Sequence, residues 1–121
     1  MNYSKLSDFE INKAVAMVVG RFKKSDYSEI SGNFHSGKPS QDNYRVGVIH
    51  DYCNNPANAW PIILENEISI VRDVSTNASW EAIAKGWVTM NGFESSIDNK
   101  LCYIDKNPLR AAMIVFLMMD D

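Results

Sequence analysis

Asn107-Pro108-Leu109-Arg110-Ala111-Ala112-Met113-Ile114-Val115-Phe116-Leu117-Met118-Met119 is the stretch on which the fold turns. Asparagine is a strong helix cap, and proline is pre-shaped for the first helical position. The pair predicts a helix over 108–119. From Leu109 to Met119 only Arg110 is polar. A surface helix keeps one polar face. This one must be central to the fold or bury its outer side against another subunit. One side of a sheet does not easily enclose it in so short a chain. Met113, Met118 and Met119 are adaptable interface fillers, so the expectation is a homo-oligomer, most simply a two-fold dimer.

The same signal occurs upstream. Asn55 followed by Pro56 starts a helix over 56–65, and Asn66 suits the left-handed residue after it. Pro61 is awkward there, because it lacks a donor and crowds the preceding turn. Either the helix kinks, or it begins at Asn58. A third helix, over 8–19, opens on a capping box of Ser7 and Glu10, with Leu6 and Ile11 as a staple. Ile11, Val15, Val18, Val19 and Phe22 form its apolar face, and Gly20 is the natural stop.

Between the helices the pattern turns to strands. Tyr27, Ile30 and Phe34 suit a short edge strand, and Tyr44–His50 alternates as a strand should. Residues 36–43 read as a turn or loop. Ile68–Val74 is a strand, and Ser79–Lys85 is a helical turn or two, or a strand. Trp87–Met90 runs into Asn91-Gly92, a hairpin turn, with residues 93–97 returning antiparallel. The whole predicts one α+β domain, 1–121: a small, mostly antiparallel sheet packed with three helices, similar to an alpha-beta-alpha sandwich.

Composition narrows the function classes. The chain has 121 residues, 45% hydrophobic and 22% charged, as a single globular domain does. Twelve basic against fifteen acidic residues leave a net charge of -3, without the excess that general nucleic-acid binding needs. No apolar stretch is long enough to span a membrane, and the start has no signal-peptide pattern. Two cysteines are too few for a disulfide scaffold, so both are expected as thiols in the cytoplasm.

Three strings carry a resemblance: residues 3–13, Asp51–Ile63 with its Asn54-Asn55-Pro56-Ala57-Asn58-Ala59-Trp60, and Asn107–Met119. In this order they resemble the phage NinX family over nearly the whole chain. More loosely, the layout is similar to phage alpha-beta-alpha sandwich domains. The resemblance implies a phage or prophage accessory protein, and it brings no reaction and no catalytic residues.

The residues themselves offer little chemistry of catalysis. His50, Asp51 and Cys53 are crowded on one segment and too few for a zinc site, so no metal and no cofactor is expected. A Cys–His nucleophile lacks an orienting third group, and no phosphate-loop pattern is present. The expectation is therefore no enzyme. The two Asn-Pro helix starts are more informative, because a helix N-terminus favours an anion. Arg110 sits in one of them against the helix dipole, so it needs a partner: a protein carboxylate, or a ligand phosphate. Trp60 packs in the core or stacks on a base. If the two starts meet, Tyr52, Asn54, Asn55, Asn58, Trp60, Tyr103, Asn107 and Arg110 compose a site for a nucleotide-like small molecule. The competing expectation is a protein–protein interaction module working through the apolar helix or the 36–43 loop.

Overall fold

The computed structural model describes residues 2–73, 79–84, 89–90, 93–94 and 101–120. The Asn91-Gly92 turn, Trp87 and the 95–97 end of the expected return strand lie outside these. Among the described residues are three α-helices: α1 (Asp8–Gly20), α2 (Pro56–Glu65) and α3 (Pro108–Asp120). Each begins where its cap predicts. Ser7 and Glu10 exchange both capping-box bonds at 3.1 Å. The Asn55 side chain accepts from Ala57 N–H at 3.0 Å, and that of Asn107 accepts from Leu109 and Arg110 N–H at 2.9 and 3.2 Å.

The helix ends differ from expectation. α1 includes Gly20, and Arg21 takes the left-handed conformation instead, at φ 55°. Glu67, not Asn66, is left-handed after α2, while Asn66 turns its amide back to the Ile62 carbonyl at 2.8 Å. Pro61 lies inside a helix that begins at Pro56, which overturns a start at Asn58. The helix tolerates the one donor that proline lacks.

Two small three-stranded sheets and a separate two-stranded pair take the place of one sheet among the described residues. β1 (Tyr27–Ser28), β2 (Asn33–Ser36) and β3 (Arg45–Gly47) form the first, antiparallel throughout. The expected strand over 44–50 is thus only three residues long. β4 (Ser69–Asp73) pairs antiparallel with β5 (Ser79–Ile83). β6 (Thr89–Met90) and β7 (Phe93–Glu94) form an antiparallel pair flanking the expected turn. β8 (Cys102–Asp105), to which the sequence reading assigned no element, pairs with β5. The order in the second sheet is β4-β5-β8, so Ser79–Ile83 is a strand, and the central one.

α3 is the hub. It packs on β5 and β8 on one side and on α1 and α2 on the other. Residues 111 to 117 are buried without a break. Seven consecutive buried positions go fully round a helix, so its all-round apolarity is accounted for within the chain. Its first turn, with Leu109, and Met118 and Met119 near its end stay partly exposed. Ala82, Ala111 and Ala112 are fully buried, and small side chains let helix and sheet approach closely.

Beside the first sheet a smaller aromatic cluster joins α1 to the strands. Phe22 stacks on Phe34 at 5.3 Å, and Tyr27 meets Phe34 edge-on at 5.5 Å. The Phe22 ring lies so close to Gly20 and Gly47 that neither position has room for a Cβ. The Arg45 guanidinium lies over the Phe22 ring at 4.5 Å and donates to the Gly20 carbonyl at 2.6 Å. A cation there also suits the C-terminal end of α1.

Candidate functional site

The two Asn-Pro helix starts do meet. Asn107 donates from its amide to the Cys53 carbonyl at 2.7 Å and to the Asn54 side chain at 3.1 Å. Asn54 in turn donates to Asp8 at 3.1 Å and to both oxygens of Asp51 at 3.1 and 3.3 Å. Asn12, a buried polar residue of α1, donates to Asp51 at 3.0 Å and accepts from the Cys53 N–H at 3.0 Å. The result is a polar junction among α1, the 51–55 segment and α3.

Arg110 completes it. Its Nε donates to Asp105 at 3.1 Å and its Nη1 to Asp8 at 2.9 Å. Its Nη2 reaches the carbonyls of Leu6 at 2.9 Å and Tyr3 at 3.3 Å. Four of the five guanidinium donors are thereby engaged within the chain, and two carboxylates face one cation. Burial pulls the guanidinium pKa down, but the charges and hydrogen bonds of Asp105 and Asp8 outweigh it and leave the pKa raised. The partner that the helix dipole demands of Arg110 is supplied by the protein.

The other expected site residues spread away from this junction. Tyr52 is buried, with His50 edge-on to its ring at 5.8 Å. Asn55 caps α2, Asn58 is half-buried in its first turn, and Trp60 is 52% exposed rather than in the core. Tyr103 lies on β8, opposite Ala82 of β5. Asp8, Asn12, Asp51 and Asp105 are the junction members that sequence reasoning missed. Asp105 alone had a local signal, standing five residues before Arg110, but on a strand not foreseen.

Cys53 is buried in the same place. Burial first, then the negative charges of Asp8, Asp51 and Asp105 against the opposing charge of Arg110, push its thiol up to about 12. Such a thiol is protonated at neutral pH and is a poor nucleophile. Neither cysteine is in a disulfide. Among the described residues no three His, Cys, Asp or Glu side chains are placed to hold one metal ion. No helix among them is long and apolar enough to cross a membrane.

A second place was not legible from the strings. A cleft of about 300 Å³ lies along α1, lined by Leu6, Glu10, Lys13, Ala14, Met17, Lys24 and Phe34. Glu10, Lys13, Ala14 and Met17 recur at helical spacing and share one face of α1. Phe34 is fully buried beneath it. Lys24 comes from the short 3-10 turn Lys24–Asp26. Glu10 accepts from the Ser7 N–H; this bond, then the Ser7 hydroxyl and the nearby Lys13 charge, hold its carboxyl below the usual range against slight desolvation. Among the described residues no carboxylate lies within ion-pair distance of Lys13 or Lys24. The Lys13 ammonium instead sits over the Tyr27 ring, 3.7 Å from its centroid. Apolar walls, the Glu10 carboxylate and two cations without an ion-pair partner among the described residues leave the cleft with a net positive lining, which suits a molecule that has an apolar body and a negative end.

No curated protein and no solved structure matches the chain. A family model described as "Bacteriophage P22, NinX" matches residues 2–120. That span takes in both the junction and the cleft, and the chain belongs to this phage NinX family.

Proposed function

We propose that the chain is a non-enzymatic phage accessory protein that binds and sequesters a nucleotide-derived small molecule, and so withholds an immune signal from the host. The observation that carries this reading is the cleft along α1, with its apolar walls and its two ammonium groups free of ion pairs among the described residues. Its volume, about 300 Å³, lies at the lower end of small-molecule pockets. The ligand is placed here rather than at Arg110, because the Arg110 donors are engaged by Asp8, Asp105 and two carbonyls. A binding role rather than catalysis is favoured by the Cys53 thiol, which burial keeps protonated. Calorimetry of the purified chain against ADP-ribose derivatives and cyclic dinucleotides tests the reading. Saturable one-to-one binding supports it, and silence across both series sinks it.

A second reading is favoured by α2. Trp60 and Leu64, one turn apart, are 52% and 59% exposed. Paired across a two-fold axis, this patch would meet itself in a homodimer. Light scattering of the parent and of Leu64→Glu decides it: a dimer that the substitution dissociates supports the contact, and a monomeric parent removes it.

A further inference from the structure

We propose that the cleft along α1 takes one nucleotide unit in two subsites: Lys13 and Lys24 receive a phosphate, and Leu6, Ala14 and Met17 cover the base. This rests on the binding reading above and says how that binding is made. The Lys13 ammonium is held before any ligand arrives, because the Tyr27 ring fixes it at 3.7 Å. Tyr27 is fixed in turn, edge-on to the buried Phe34 at 5.5 Å. A ring face occupies one side of an ammonium, which has three donors. A cation already ordered costs less entropy to use.

The apolar subsite is equally supported. Met17 and Ala14 follow Lys13 on α1, and a thioether contacts flat rings favourably. Ala14 leaves the space that a larger side chain would fill. Leu6 is held from behind, since Arg110 takes its carbonyl at 2.9 Å. The junction thus positions one wall of the cleft without facing the ligand. A volume of about 300 Å³ has room for one base, sugar and phosphate but not for two. A dinucleotide or ADP-ribose would insert one half and leave the other outside.

AMP is the probe, titrated into the full chain and followed by amide NMR and calorimetry. Shifts should gather at Leu6, Lys13, Ala14, Met17 and Lys24, and adenosine should bind about tenfold more weakly for want of the charge-assisted bond. Lys13→Met, which keeps the apolar stem, should weaken AMP by a similar factor. Ala14→Trp should abolish binding by filling the space, with the melting temperature of both variants reporting an intact fold. Shifts centred on Asn54, Asn107 and Arg110, equal binding of adenosine and AMP, or AMP binding that survives Ala14→Trp in a folded protein would each overturn the proposal. If AMP does not bind while a dinucleotide does, the two-subsite arrangement fails and the broader binding reading stands.

Discussion

The junction and the cleft both lie against α1, and they treat polar groups in opposite ways. At the junction, Asp8, Asn12, Asp51, Asn54, Asp105, Asn107 and Arg110 bond to one another or to backbone carbonyls. At the cleft, Lys13 and Lys24 are cations without a carboxylate partner among the described residues. Partly buried polar groups that satisfy each other fix a fold. Unpaired charges beside an apolar trough hold capacity for something else. A family signature string can therefore mark the part of a protein that locks its helices together, as the strings around Asn54 and Asn107 do here.

That contrast can be broken at several points. The largest expected effect is on reactivity. With its thiol pushed up to about 12, Cys53 should alkylate on the order of a thousandfold more slowly in the native protein than in the unfolded chain at pH 8. Mass-mapped iodoacetamide kinetics checks this, and equal rates would mean the junction opens readily.

Arg110→Ala comes next. It strands Asp105, whose side chain is 21% exposed, and Asp8, which is 46% exposed. The cost should be about 2–3 kcal/mol, below that of a fully buried pair because Asp8 is half in water. Urea melts should register it. Asn107→Ala removes the α3 cap and the bonds to Cys53 and Asn54, and should cost about 2 kcal/mol. Ser7→Ala should cost about 1 kcal/mol through the α1 cap alone.

The smallest effect sharpens the comparison from the other side. Lys24→Ala removes an exposed, unpaired cation and should change stability by no more than about 0.5 kcal/mol. A large loss in the same melts would show that Lys24 is as structural as Arg110.

What the sequence made legible follows the range of the interactions involved. The three helix starts were readable because each cap acts within three residues, as Ser7, Asn55 and Asn107 do. β8 was missed, and β5 was ambiguous, because both exist through pairing with distant strands. The Trp80-Glu81-Ala82-Ile83 run contains good helix formers, and only its place between β4 and β8 makes it a strand. The burial of α3 was foreseen as central or as shared with another subunit, and the chain itself wraps it. For the site, the meeting of the two Asn-Pro starts was only a condition in the sequence reading, and the structure meets it through Asn107, Cys53 and Asn54. A protein carboxylate was one of the two partners expected for Arg110; which carboxylates was not legible, since Asp105 stands on an unforeseen strand and Asp8 lies across 102 residues. The cleft depends on one face of α1 being opposed by Lys24 and Phe34, a tertiary fact with no local trace.

The most direct test of the account is to denature the protein as purified from host cells and weigh what it releases. The parent chain should yield a nucleotide-containing compound in roughly one-to-one ratio, as a single site requires, and folded Ala14→Trp should yield none. Release of no such compound by the parent, or of the same compound by Ala14→Trp, would contradict it.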